Sequence, residues 1–209
     1  ADGTYNFTGE TLGQQGSNGI SYALLALDSL NYEIPADAKF TREMMIEQLL
    51  AFQTEDGGFA MTGNENSDLD ITSMAVHALA PYTEQENVSV AVDAALSWLS
   101  ENLTENGTFL AYDNESAESV AQAILALCAM GIDPEADERF INNGKSLMDG
   151  LESFRCENGM YMHTKADGIE DGMATYQSLL ALEAVQKLRT NGTWILNFTD
   201  YQVPESEKG

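Results

Sequence analysis

Two short motifs recur together about 50 residues apart, and that period constrains the fold more than any other feature of the chain. One is Gly-x-aromatic, seen as "DGTY" at 2 to 5, "DGGF" at 56 to 59, "NGTF" at 106 to 109 and "NGMY" at 158 to 161. The other is an apolar run ending in Ala-Leu: "ISYALLAL", "ITSMAVHAL", "SVAQAILAL" and "ATYQSLLAL". The pairs Ala26-Leu27, Ala78-Leu79, Ala126-Leu127 and Ala181-Leu182 follow one another at 52, 48 and 55 residues. Chains with such a period stack supersecondary units, because one unit alone cannot bury its apolar face.

The Ala-Leu runs are apolar almost all round and rich in small residues, as helices buried on most sides are. Between them lie segments with apolar residues at three- and four-residue spacing and charges opposite, at 41 to 53, 90 to 103 and 141 to 154. These read as amphipathic outer helices. The expected architecture is therefore all-α, with about four inner and three outer helices alternating in direction. Glycine permits a positive-φ exit from each outer helix, and the aromatic two residues later folds back over the turn. The repeat domain is expected over 1–190, with 191–209 as a C-terminal extension or linker, since "YQVPESEKG" is polar and bears a proline.

Nine basic residues against thirty-four acidic ones give a net charge of -25. Such a chain repels phosphate backbones and anionic lipid surfaces, which excludes nucleic acid as a partner and favours cations. No apolar run approaches the ~18 residues of a membrane span, so direct membrane insertion is not expected. The only cysteines, Cys128 and Cys156, have no zinc-ligand spacing; either they pair, or Cys128 in its helical run is a small buried hydrophobe.

The turn "QTEDGGF" at 53 to 59 resembles the glutamine-aromatic repeat of the prenyltransferase and squalene-cyclase superfamily, and the resemblance extends through all four repeats. It implies an α/α toroid. The stretches "NGISYALLALDSLNYEIP" and "ESVAQAILALCAMGIDP" further resemble bacterial secreted or cell-surface toroid proteins, relatives of cobalamin carriers such as transcobalamin and intrinsic factor. Full toroids of the superfamily have about six helix pairs, so this chain reads as a partial ring. The resemblance implies a secreted or cell-surface location and a binding or scaffold role without chemistry of its own. Its ligand would be a corrinoid or another bulky small molecule, and a neighbouring domain or chain would complete the ring.

Because inner and outer helices alternate, every loop that precedes an inner helix shares one rim. That rim gathers Asp68, Asp70, Tyr112, Asp113, Glu115, Glu118, His163, Asp167, Glu170 and Asp171. Three roles compete for Asp68 and Asp70. Either would cap a helix by accepting backbone N–H bonds, as Glu118 would in its own repeat. "DLDI" also resembles the Asp-x-Asp-Asp acid motif of class II terpene cyclases, which would make Asp70 the general acid and Asp68 its neighbour, although Ile71 replaces the last aspartate. Finally, Asn64, Asn66, Asp68 and Asp70 alternate like the first half of a calcium loop, without its glycine or its closing glutamate.

Just inside the rim, Tyr22, Met74, Gln122 and Gln177 superpose when the Ala-Leu pairs are aligned. A buried glutamine is costly without partners, so these residues either bond between neighbouring inner helices or face a ligand. The candidate ligand set is Tyr22, Asp68, Asp70, Tyr112, Glu118, Gln122, Tyr176 and Gln177. His77, mid-helix among apolar neighbours, reads as a satisfied core histidine.

Overall fold

The computed structural model describes residues 12, 15–63, 65–111, 114–192 and 194–199. Asn64, Tyr112 and Asp113 of the predicted rim lie outside them. Among the described residues there are seven α-helices: α1 (Gly16–Ser29), α2 (Arg42–Leu50), α3 (Leu69–Leu79), α4 (Glu86–Glu101), α5 (Ala117–Ala129), α6 (Leu147–Glu152) and α7 (Gly172–Asn191). The inner helices α1, α3, α5 and α7 pack side by side in chain order, and α2, α4 and α6 each back onto the inner helix before them. Four inner and three outer helices thus form the expected arc.

Burial follows position in that arc. The central helix α5 is flanked on both sides and buries eleven of its thirteen residues, Val120, Ile124 and Leu127 among them. Small residues at Ala75, Ala78, Ala123 and Ala126, all at zero exposure, let neighbouring inner helices approach closely. The aromatic of each of the three described turns goes inside: Phe59 and Phe109 are at 0% exposure and Tyr161 at 2%. Each such burial contributes roughly 2 to 3 kcal/mol.

The Gly-x-aromatic turns leave each outer helix as expected, with Gly57 at φ 96° and Gly159 at φ 86°. They also fasten the next inner helix. Phe59 N–H donates to Thr72 Oγ1 (2.8 Å) and Asp68 N–H to Phe59 O (2.9 Å). One repeat pair on, Tyr161 N–H donates to Thr175 Oγ1 (2.9 Å) and Asp171 N–H to Tyr161 O (2.8 Å). Gln53 Nε2 donates to Gly57 O (2.9 Å) and Ala91 O (2.8 Å), tying its turn to α4.

The outer helix expected over 141–154 is shorter than its pattern. Strands β1 (Leu110–Ala111) and β2 (Asn114–Glu115) pair upstream, and β3 (Ile141–Asn142) pairs with β4 (Lys145–Ser146) before α6 begins. Asn143 (φ 50°) and Gly144 (φ 73°) supply the two left-handed residues of a tight hairpin turn, and a Ser146–Asp149 capping box then starts the helix.

After α7 the chain does not leave the arc at once. Trp194 Nε1–H donates to His77 Nε2 (2.6 Å), Ile195 is 6% exposed, and Phe198 N–H donates to Ser29 O (2.8 Å). Residues 194–199 therefore cross the far rim from α7, past α3, to the end of α1. Cys128 and Cys156 are free thiols, and burial pushes the Cys128 thiol up to about 12. Among the described residues no helix is long and apolar enough to cross a membrane.

Candidate functional site

The N-termini of the inner helices and the loops before them do form one rim. Ala117 N–H donates to His163 O (3.1 Å), Ser17 N–H donates to Met61 O (3.0 Å), and Lys165 Nζ pairs with Glu115 Oε2 (2.9 Å). Burial alone would raise Glu115, but donation from Asn106 and Lys165 holds its carboxyl down at about 2.

The two aspartates divide between the roles weighed for them. Asp68 is the cap of α3, its Oδ1 accepting from Ile71 N–H at 3.0 Å. Asp70 is not a cap. It sits one residue inside the helix and is mostly buried, and its Oδ1 is shielded from solvent with no hydrogen-bond partner among the described residues. Burial raises its carboxyl above the ordinary range, with the charges of Asp68 and Glu118 adding to the rise. The Ser119 hydroxyl, nearby but outside hydrogen-bond geometry, and His163 pull the other way.

Glu118 does not cap α5 either, because Ser116 does so through Ser119 N–H. Glu118 Oε2 instead accepts from Ser116 Oγ–H (3.0 Å) and lies 2.8 Å from His163 Nδ1. That bond raises the His163 imidazole above its usual value, against partial burial, with Asp167 and Asp171 adding to it. For a calcium loop, Asn64 lies outside the described residues, Asn66 is exposed and Asp68 is engaged as a cap. No group of three or more His, Cys, Asp or Glu among the described residues is placed to hold a metal.

One turn deeper, the glutamines meet each other. Gln122 Nε2 donates to Gln177 Oε1 at 2.8 Å across the α5–α7 seam. Beside them Tyr22 on α1 and Tyr176 on α7 stay 55% and 65% exposed, on the two inner helices that have an inner neighbour on one side only. Burial raises the Tyr22 phenol, and Tyr176 and then Asp70 are close enough to push it further. The first and last inner helices thus face each other across a lumen whose mouth holds Asp70. Of the predicted ligand set, Tyr22, Asp70, Gln122, Tyr176 and Gln177 gather there, Glu118 and Asp68 stand on the rim above, and Tyr112 is outside the described residues.

Four inner helices round a lumen, two of them fastened alike by Gly-x-aromatic turns, define an α/α-toroid repeat protein. The chain belongs to the family of the prenyltransferase alpha-alpha toroid domain, whose model matches residues 10–130 and 111–202. No curated protein matches it.

A cluster on the opposite rim has no counterpart in the sequence motifs. Asp28 at the end of α1 accepts from Arg42 Nε (3.0 Å) and Tyr82 OH (2.6 Å), and Arg42 also reaches Tyr32 O (3.2 Å). Its members are 14 and 54 residues apart, so no local pattern announces it.

Proposed function

We propose that this toroid arc is a binding module that takes a bulky small molecule into its lumen, with the carboxyl of Asp70 left to hydrogen-bond it at the mouth. The observation that carries this is the buried Asp70 Oδ1, which has no partner among the described residues, together with two large aromatic side chains, Tyr22 and Tyr176, that remain exposed. Buried polar groups are paired in nearly all native structures, so an orphan beside exposed aromatic faces is accounted for by a ligand that fills the space. A corrinoid is the bulky ligand that the likeness to cobalamin carriers favours. The same likeness supports a secreted or cell-surface setting and a second domain or chain that closes the ring over the ligand. The test is native mass spectrometry with cobalamin on the wild type and on Asp70→Asn and Tyr176→Ala. A stoichiometric adduct weakened in both variants supports the module, and a bare chain throughout removes the corrinoid.

A second reading has the raised carboxyl of Asp70 in its favour: burial shifts it toward the protonated form, the form that alkene protonation requires. Ile71, in place of the last aspartate of the motif, offers no hydrogen bond to the resulting anion. Incubation with a linear isoprenoid distinguishes the two, since only this reading expects a cyclised product that Asp70→Asn abolishes.

A further inference from the structure

The groove on the opposite rim, about 600 Å³ in volume, is a separate place. Asp70 opens α3 while Tyr82 lies beyond its end, so an eleven-residue helix, roughly 16 Å, stands between them. The walls come from three stretches of chain that the fold brings together. Asn31 (φ 49°) ends α1 in a Schellman turn, with Tyr32 N–H donating to Leu27 O (2.8 Å) and Asn31 N–H to Asp28 O (3.1 Å). Pro81 and Tyr82 form the 3-10 turn after α3, and Trp194 and Asn197 arrive on the returning C-terminal segment.

We propose that this groove binds a neutral saccharide. Its floor is built: Asp28, with 13% of its side chain exposed, has one oxygen held by Arg42 and the other by Tyr82. With Asp28 neutralising Arg42, the groups left to a ligand are of both kinds. Acceptors are the Glu33 carboxylate and the Asn31 carbonyl oxygen; donors are Arg42 Nη1, which has no hydrogen-bond partner among the described residues, and the Asn197 amide, whose oxygen is already engaged by Thr199. An anion would use only the donors and a cation only the acceptors. A hydroxyl is both at once, so a polyol engages all four. Tyr32, 55% exposed, Trp194 and Pro81 add flat apolar surface for the carbon face of a pyranose. The volume is in the range of small-molecule sites and accommodates a disaccharide.

The test is calorimetric titration of the whole chain with cellobiose, maltose and N,N′-diacetylchitobiose. In parallel, fluorescence of a Trp98→Phe variant leaves Trp194 as the sole tryptophan reporter. Binding of at least one disaccharide is expected, with a shift in Trp194 emission. It should weaken about tenfold or more in Tyr32→Ala and in Glu33→Gln, as for a lost stacking face or hydrogen bond, and stay unchanged in Tyr176→Ala in the lumen. Tyr32 and Glu33 are exposed, so neither change threatens the fold. The proposal is overturned if none of the three sugars binds, if binding survives both groove variants, if Tyr176→Ala abolishes it, or if tetramethylammonium or phosphate occupies the groove instead. Failure of the lumen proposal leaves this one standing, because the variants and probes differ.

Discussion

His77 Nε2 accepts the Trp194 indole N–H at 2.6 Å across 117 residues of chain, with the rings edge to face at 5.7 Å. The bond needs a neutral imidazole, and burial holds His77 down to about 4. The folded pKa lies below the unfolded value of about 6.5, so the unfolded state binds the extra proton and stability falls with falling pH. The loss should begin near pH 6.5, be complete near pH 4, and amount to about 3 kcal/mol. Urea unfolding at stepped pH measures it. Relative to wild type, His77→Gln should have a flatter profile in that window, and identical profiles would show that His77 does not drive the change.

The chain has two histidines, so its imidazole spectrum is simple. His163, raised by Glu118, should titrate above 6.5, and His77 far below it. Glu118→Gln should return the upper midpoint toward its ordinary value and leave the lower one alone. The sign for stability is the reverse of that for His77: this pair is fully formed below about pH 6.5 and is lost as pH rises through the folded value. His163 is 54% exposed, so the contribution is at most about 1 kcal/mol.

Gly150 lies inside α6, where alanine is ordinarily preferred by about 1 kcal/mol. Here a Cβ would sit 1.8 Å from Gly107 O, because α6 packs directly on the turn of the preceding repeat. Gly150→Ala should therefore destabilise by about 3 kcal/mol or more, against its propensity. Gly172, at the start of α7 with nothing within 4 Å, is the control: Gly172→Ala should be neutral or stabilising by a few tenths of a kcal/mol. Thermal or urea unfolding of the two variants reads the contrast.

The arc is legible because its signals are repeated: small residues and an Ala-Leu end mark each inner helix, and a positive-φ glycine marks each described turn. The hairpin at 141–146 was hidden because "INNGKSLMDGLESF" satisfies helical spacing while its Asn143-Gly144 pair is a turn, and the local turn chemistry won. The sequence leaves the cap of α3 open between Asp68 and Asp70, and Asp68 is the one, whereas the expected cap of α5, Glu118, lies two residues past the actual one, Ser116. Asp68, Ser116 and Asp171 each stand ten positions before the alanine of their Ala-Leu pair, so the alignment holds the answer, but charge draws attention to Glu118 opposite Asp70 in place of Ser116 opposite Asp68. The aligned repeats leave Gln122 and Gln177 either bonded or ligand-facing, and it is the packing of α5 on α7 that pairs them with each other. The groove round Asp28 and Arg42 was invisible, since its members come from unrelated turns.

Asp68 and Asp70, two residues apart, should respond oppositely to loss of charge. Asp68→Ala removes the acceptor for Ile71 N–H and should cost about 1 kcal/mol at neutral pH. Asp70→Asn removes no bond that Oδ1 makes and relieves a carboxylate that burial disfavours. Because the folded value of Asp70 is raised, its charge opposes folding at neutral pH, and the penalty vanishes as pH falls below the unfolded value of about 3.9. Asp70→Asn should therefore be more stable than wild type at pH 7, with the advantage gone near pH 3. Paired urea titrations at the two pH values decide it: a destabilised Asp70→Asn at pH 7 would mean that the carboxylate is held by a partner and the mouth of the lumen is not an unpaired acid. A stabilised one would mark a position where the fold gives up stability to keep an acid facing the lumen.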